Sequence, residues 1–372
     1  MPAYHVGLVA ASRPEECLPG RARAPNYTRC SGRGAGMDGA EFGRASAGFP
    51  AFAAIDLGTN NCRMLIGAAD GDGFRVVDSF SRIVRLGEGL HATGRLSPLA
   101  MERTLAALHA CAARLRRRRV AGLHAIATEA CRRAENGDAF LETARAETGL
   151  PLQVISTREE VELALESCAP LLPADERRAL LFDIGGGSTE LAWVRLDAGP
   201  PQLIGYESLP IGVATLAEQF GPASGTEAGF SAMASLVAER LRGFEAVHRI
   251  SAEIHHGGVL LMGTSGTVTT LAGIVLGLTR YRRALVDGAL LTAEEATAAL
   301  GELLLMGAAG RAAHPCIGPE REPFVLPGCA VFAAIHAAWP APRLLVADRG
   351  LREALLLRQI RGQGRRRANG RG

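Results

Sequence analysis

Between residues 52 and 360, short apolar runs alternate with segments whose apolar residues recur every three or four positions. The short runs predict strands and the longer period predicts amphipathic helices. The predicted strands lie around residues 55, 63–68, 75–80, 123–127, 152–155, 178–183, 190–196, 203–209, 259–263 and 344–347. The predicted helices begin near residues 97, 138, 156, 211, 228, 266, 292 and 350. Strands that alternate with helices predict an α/β fold in which helices cover the faces of sheets.

Several predicted helix ends carry residues that stabilise the terminal turns. Ser97 precedes Pro98, a pair typical of a helix start, and Gly149 suits the residue after a helix end. Thr292 with Glu295 forms the pattern of a capping box. The run 116–119, four arginines, ends the helix that begins at Ser97, where positive charge suits the helix dipole. A nucleic-acid patch is the less favoured interpretation of that run.

The composition divides the chain into four parts. Residues 1–50 are rich in Arg, Gly, Pro, Ala and Ser without a periodic apolar face, which predicts disorder or translation from a later start at Met37. Residues 51–176 and 177–360 are predicted to form two domains, and residues 361–372 a basic flexible tail. The 372 residues are enough for two ordinary cores.

Charge and composition narrow the function classes. A hydrophobic content of 48% with 21% charged residues is typical of soluble globular proteins. A net charge of +3 is too small to indicate nucleic-acid or membrane partners. All 41 basic residues are arginine, which excludes a Walker-type lysine and Schiff-base chemistry. Any bound phosphate must therefore be neutralised by arginine, backbone N–H groups or a metal.

The cysteines indicate no metal or disulfide framework. The eight cysteines are scattered without a Cys-x-x-Cys pair, which is typical of reduced thiols in a cytoplasmic protein. Residues 259–278 are uncharged but hold several Gly, Ser and Thr, so they predict a strand and a helix within a core. We therefore expect a cytoplasmic protein without a membrane span.

The most informative stretch runs from Asp183 to Glu190. It connects two apolar runs, and the residues between its acids are Ile184, Gly185, Gly186, Gly187, Ser188 and Thr189. Three glycines allow a tight turn that exposes several N–H groups, and such a nest binds anions. Flanking carboxylates suit a divalent cation held between the acids and a phosphate. An ordinary glycine hairpin with a flanking acid is the alternative interpretation.

A similar loop follows Asp56, and a third glycine-rich turn follows another predicted strand. The first contains Gly58, Thr59, Asn60 and Asn61. The other contains Gly263, Thr264, Ser265, Gly266 and Thr267 and feeds a helix, whose N-terminus suits an anion. Because ligand loops lie beyond the carboxyl ends of strands, all three are predicted to face one cleft between two related halves. Asp56, Asp183 and Glu190 are the candidate Mg²⁺ ligands.

Phosphate clamps and a general base complete the predicted site. Arg132 and Arg133 are candidate clamps, since a guanidinium can bind two phosphate oxygens. Glu160 is the candidate base if Ser156 and Glu159 cap the following helix. If the helix starts at Thr157 instead, Glu160 becomes the capping partner, and spacing alone leaves both alternatives open.

These motifs resemble the exopolyphosphatase/guanosine-pentaphosphate phosphohydrolase (Ppx/GppA) family of the actin/hexokinase/chaperone-ATPase superfamily. Besides the two loops, the resemblance rests on residues 127–133, 155–160, 263–267 and 348–353. It implies two actin-like (ribonuclease H-like) domains with a duplicated strand–loop–strand phosphate-binding core and a catalytic cleft between them. It further implies Glu160 as the water-activating base, Asp183 and Glu190 at the metal and terminal phosphate, Arg132 on substrate phosphate, and a homodimer.

The expected function is Mg²⁺-dependent release of terminal orthophosphate from polyphosphate, guanosine pentaphosphate or both. An ATP-dependent small-molecule kinase of the same superfamily is one alternative. A non-catalytic sensor of guanosine tetra- or pentaphosphate is another, but pure binding does not require a water-activating base. The loops do not rank the two substrates, since both present a terminal phosphate.

Overall fold

The computed structural model describes residues 50–71 and 73–369, with the side chains of residues 364–369 left undescribed. Disorder was predicted for residues 1–50, and all of these except residue 50 lie outside the described residues. Residues 370–372 of the predicted tail also lie outside them. The strands are β1 (Ala51–Leu57), β2 (Asn61–Asp70), β3 (Gly73–Ile83), β4 (Gly122–Ala127), β5 (Leu152–Val154), β6 (Arg178–Ile184), β7 (Thr189–Arg195), β8 (Gln202–Leu209), β9 (Val259–Thr264), β10 (Leu290–Thr292) and β11 (Arg343–Ala347).

The strands form two sheets of the same design. The first has the order β3-β2-β1-β4-β5, and the second has the order β10-β11-β9-β6-β7-β8. In each sheet a three-stranded antiparallel meander (β1–β3 or β6–β8) is joined by two strands parallel to its first strand (β4 and β5, or β9 and β11). This repetition confirms the predicted fold of two ribonuclease H-like halves.

Equivalent positions of the two central hairpins carry the two predicted aspartates. Asp56 near the end of β1 lies opposite Arg63 on β2, and Asp183 near the end of β6 lies opposite Glu190 on β7. Both aspartates therefore stand one residue from the end of a central strand, beside the loop that connects it to the next.

Helices cover the sheets and connect the two halves. They are α1 (Leu90–Thr93), α2 (Pro98–Arg118), α3 (Glu129–Arg133), α4 (Gly137–Thr148), α5 (Thr157–Cys168), α6 (Val213–Phe220), α7 (Glu227–His248), α8 (Ile250–His255), α9 (Gly266–Val275), α10 (Arg283–Val286), α11 (Ala293–Leu305), α12 (Gly307–Ala313), α13 (Glu322–Ala338) and α14 (Leu351–Asn369). The predicted start at Ser97, stop at Gly149 and capping box at Thr292 are all confirmed.

Three apolar cores hold these layers. One lies between the first sheet and helices α2 and α4, and another between the second sheet and helices α7, α9 and α13. The third joins the inner faces of both sheets to α5 and α14, with Phe52 and Ile126 from one sheet and Leu181 and Met262 from the other. Helix α14, at the C-terminal end of the chain, packs on β1, β2 and α5, all of which lie within the predicted first domain.

Three local expectations differ from the structure. The loop predicted at residues 128–133 contains the short helix α3. Helix α13 was not predicted, because apolar residues surround its whole circumference and leave no polar face to give a helical period. The tail, predicted to be loose from residue 361, continues α14 as far as Asn369.

Residues 259–278, uncharged along their length, form β9 and α9 within the second half, as predicted. Among the residues that the structure describes, no helix combines the length and apolar character needed to cross a membrane.

Candidate active site

The loops at the carboxyl ends of β1, β6 and β9 converge on one cleft of about 860 Å³. Most of the residues proposed from the sequence line it. They are Asp56, Gly58, Thr59, Asn60, Asn61, Glu160, Asp183, Gly185, Gly186, Gly187, Ser188, Glu190, Thr264, Ser265, Gly266 and Thr267. The expectation that three glycine-containing loops share a cleft between two related halves is therefore confirmed as geometry.

The first two loops are built alike and touch one another. In each, the first glycine donates its N–H to the carbonyl three residues later: Gly58 to Asn61 and Gly185 to Ser188, both at 2.9 Å. A Cβ added to Gly186 would lie 3.0 Å from the Cβ of Asn60. Glycine is required at this approach because a side chain would separate the loops.

Gly187 approaches the neighbouring side chains more closely than Gly186 does, and its replacement tests the requirement for glycine directly. A Cβ at Gly187 would lie 2.2 Å from Glu129 Oε2 and 2.5 Å from Thr59 Oγ1. We expect Gly187→Ala to destabilise the protein by about 1–3 kcal/mol through overpacking and to weaken anion binding between the loops. Thermal unfolding and phosphate-analogue binding measure the two effects.

Gly243→Ala is the matched control, since nothing lies within 4 Å of its added Cβ and it sits inside α7. That change should leave ligand binding unaltered and stabilise the protein slightly, because alanine favours helices. Equal behaviour of the two variants would contradict a requirement for glycine at Gly187.

The third loop holds a strained serine at the start of α9. Ser265 has φ of 86° and ψ of 179°, and its buried Oγ has no hydrogen-bond partner. Such a backbone conformation is rare outside glycine and persists where surrounding structure fixes it. Arg321 braces this turn by donating from Nη2 to the carbonyl of Gly266 at 2.7 Å. An unpaired hydroxyl beside a helix N-terminus in a cleft suits an anion.

The four cleft carboxylates that were proposed from the sequence are disfavoured in their ionised form. Burial raises the pKa of Asp183 to about 7, with a further contribution from Glu190. Burial also raises the pKa values of Asp56, Glu190 and Glu160, the last of these well above the usual range. Arg63 opposes this rise at Asp56 and Asp183 but does not cancel it. The neighbouring arginines therefore do not fully compensate the negative charge of these four carboxylates when they ionise.

That charge fits a divalent cation. Asp56, Asp183 and Glu190 offer hard carboxylate oxygens, and the buried Oδ1 of Asn60 has no partner. In the part of the chain that the structure describes, no three His, Cys, Asp or Glu side chains could hold a metal among themselves. Mg²⁺ commonly takes one or two carboxylates and completes its shell with water and substrate phosphate, so the residues fit such an ion.

Glu160 takes no part in the N-terminal cap of α5, a point that the sequence left open. The side chain of Ser156 accepts the N–H of Glu159, and Glu159 accepts the N–H of Ser156, so the capping box uses Glu159. Glu160 then points into the cleft, where Arg132 Nη1 donates to its Oε2 at 3.0 Å. The N-cap is therefore Ser156 and not Thr157, which confirms the alternative that leaves Glu160 outside the cap.

Arg132 has a different place from the one expected. The same Nη1 donates to the carbonyl of Ile155 at 2.9 Å, and Arg132 does not line the cleft. It holds the carboxylate of Glu160, and its role on substrate phosphate stays a prediction. Arg133 also lies outside the lining and is 3.5 Å from Glu129 Oε1.

Two other proposed residues are structural. The hydroxyl of Thr189 is fully buried and donates to the carbonyl of Ile211 at 2.7 Å. Gly263 packs under the ring of Phe182, where a Cβ would lie 2.7 Å from a ring carbon. Neither residue lines the cleft, because Thr189 begins β7 and Gly263 lies in β9, so both belong to the packed sheet.

The structure adds cleft residues that the motifs did not identify. Six arginines line the cleft: Arg63, Arg82, Arg283, Arg321, Arg349 and Arg352. The lack of lysine indicated that arginine must meet phosphate, but no local pattern marked Arg63, Arg82, Arg283 or Arg321. Glu190 has further partners, since Ser188 Oγ donates to its Oε1 at 2.6 Å and Ser208 Oγ donates at 2.8 Å.

Comparison with known proteins identifies relatives over nearly the whole described chain. A family model for the Ppx/GppA phosphatase family matches residues 65–362. A solved exopolyphosphatase-like protein is 28% identical with a TM-score of 0.75, over 84% of this chain and 98% of its own. The Aquifex aeolicus member of the Ppx/GppA family is 26% identical with a TM-score of 0.70, over 85% and 99% of the two chains.

An exopolyphosphatase from Cytophaga hutchinsonii is 22% identical with a TM-score of 0.74, over 84% of this chain and 98% of its own, and shares the fold. The family match covers most of the chain and includes the second glycine loop, Glu160 and every cleft arginine except Arg63. The protein belongs to the Ppx/GppA phosphatase family.

Proposed function

We propose that this protein is a Mg²⁺-dependent phosphoanhydride hydrolase that releases terminal orthophosphate from inorganic polyphosphate, guanosine pentaphosphate or both. The observation that carries the proposal is the position of Glu160, a carboxylate in the cleft that the helix cap does not use. Burial raises the pKa of Glu160, which makes its ionised carboxylate a stronger base towards water.

The terminal phosphate binds between the three loops. The N–H groups of the glycine turns and the unpaired hydroxyl of Ser265 donate to the oxygens of this phosphate. The cleft arginines Arg63 and Arg321 neutralise the next phosphates of the chain. Binding in this way holds the phosphorus atom in line for attack by water.

Glu160 activates the water. The water oxygen forms a bond to the terminal phosphorus, and the bond from that phosphorus to the bridging oxygen breaks. Glu160 takes the proton from the water, and the shortened phosphate chain leaves with the bridging oxygen and its negative charge. Arg132 fixes the carboxylate so that one oxygen faces the cleft.

Mg²⁺ would be held by Asp183 and Glu190, with Asp56 nearby, and when bound it neutralises phosphate charge. Ser188 and Ser208 fix the carboxylate of Glu190 through its Oε1. Burial raises the pKa values of both acids, with a further contribution from Glu190 at Asp183, and a bound cation would oppose that rise.

The test is orthophosphate release by purified protein from long polyphosphate and from guanosine pentaphosphate, with Mg²⁺ and then with EDTA. We expect release that EDTA abolishes, and the faster reaction identifies the preferred substrate. Absence of release from both, in protein that still binds guanosine tetraphosphate, would favour the sensor alternative. Phosphorylation of a small molecule in proportion to ATP consumed would favour the kinase alternative.

A further inference from the structure

A band of arginines leaves the cleft along β3 and reaches the end of α2. It starts at Arg82, which lines the cleft and whose guanidinium lies 5.3 Å from the centroid of the Phe80 ring. Arg114 on α2 lies 5.6 Å from the same centroid. The two cations therefore meet at one ring, and Arg114 extends the positive charge from the cleft onto α2.

Asp78 links the next arginine, Arg118, to Arg114. Arg114 Nη1 lies 3.0 Å from Asp78 Oδ1, and Arg118 Nε lies 3.5 Å from Asp78 Oδ2. A single carboxylate thus positions two guanidinium groups and neutralises only one of the two charges. Contact continues without interruption from Arg82 through Phe80, Arg114 and Asp78 to Arg118.

The remaining arginines of the run face solvent. Arg116, Arg117 and Arg119 are exposed, and within the described residues none of them forms an ion pair with a carboxylate. A helix C-terminus favours positive charge, but that effect is small and confined to the last turn. Four adjacent cations repel one another, so helix stability alone does not explain the run.

We propose that this arginine track binds the part of a long inorganic polyphosphate chain that extends out of the cleft. The track consists of Arg82, Arg114, Arg116, Arg117, Arg118 and Arg119. Its charge is complementary to a polyanion, and its continuity with the cleft lets one chain occupy both. The proposal rests on the proposed function, because only a polyphosphate substrate threads from the cleft onto the track.

The chemistry of the track favours an inorganic polyanion over nucleic acid. Proteins that bind single-stranded nucleic acid combine positive charge with aromatic side chains on which bases stack. The aromatic ring of the track, Phe80, is covered by two guanidinium groups. The guanidinium groups remain to bind phosphate, and a polymer without bases needs nothing more.

The test compares Arg116→Gln/Arg117→Gln with the wild-type protein on long polyphosphate and on tripolyphosphate. We expect the KM for the long polymer to rise roughly five- to tenfold, with kcat unchanged. A change of this size corresponds to the loss of two contacts between exposed charges. Hydrolysis of tripolyphosphate, which is too short to reach α2, should change less than twofold. The control is Arg240→Gln/Arg242→Gln, which removes equal charge from exposed positions of α7.

Binding of labelled long polyphosphate in EDTA separates this inference from the proposed function. Weaker binding of the α2 variant alone supports the track, even if the wild-type protein hydrolyses neither substrate. Wild-type hydrolysis with equal KM values for both variants would overturn the track and leave the hydrolase intact. If the wild-type protein bound single-stranded RNA more tightly than polyphosphate, and the α2 variant lost that binding, nucleic acid would replace polyphosphate as the ligand of the track.

Discussion

Replacement of Glu160 by glutamine is expected to reduce orthophosphate release by about 10²–10⁴-fold, the usual contribution of a positioned general base. Glutamine keeps the shape of the side chain and can still accept a hydrogen bond from Arg132, but it cannot take a proton from water. The fold should persist, because burial and Glu190 already disfavour the charged form of Glu160. Initial rates with saturating substrate and Mg²⁺, together with thermal unfolding, measure both effects.

Glu159→Gln is the matched control for this experiment. Glu159 is the neighbouring glutamate and serves only the capping box of α5. Its replacement should cost at most about 1 kcal/mol of stability, since glutamine also serves in this position of the box, and should leave the rate near that of the wild-type protein. If Glu160→Gln retained near-wild-type turnover, Glu160 would not be the base.

Replacement of Asp183 by asparagine should lower the rate and raise the Mg²⁺ concentration needed for half-maximal activity. Asparagine keeps an oxygen at the end of β6 but removes the charge that a hard cation prefers. A Mg²⁺ titration of phosphate release measures the change. An unaltered titration would remove Asp183 from the metal site.

The same substitution should stabilise the metal-free protein at pH 8. Burial raises the pKa of Asp183 from 3.8 to about 7, so folding opposes ionisation of this group. This penalty is fully present above pH 7 and is lost as the pH falls from 7 towards 3.8. We expect Asp183→Asn to raise the unfolding temperature at pH 8 in EDTA by at least about 2 °C, with a smaller difference at pH 5.

Asp175→Asn is the control for stability, because Asp175 is exposed and lies outside the cleft. It should leave the unfolding temperature unchanged at both pH values. A fall in stability of Asp183→Asn at pH 8 would mean that the Asp183 carboxylate stabilises the fold, contrary to the electrostatics of the cleft.

Local sequence predicted ten of the eleven strands that the structure describes, several helix ends and the three cleft loops. The two aspartate–glycine loops form equivalent turns because each is closed by a hydrogen bond between residues three apart, Gly58 to Asn61 and Gly185 to Ser188. Capping boxes at Ser156 and Thr292 likewise join residues three apart. Interactions of such short range are encoded in a few adjacent residues and can be recognised there.

Tertiary structure decided which side chains share the cleft. Arg63, Arg283, Arg321 and Arg352 come from distant segments, and only the order of the strands and the packing of the helices brings them together. The same packing turned Arg132 towards Glu160 and buried the hydroxyl of Thr189 against Ile211. A motif specifies which residues a loop contains, but the direction of each side chain depends on partners that the rest of the fold supplies.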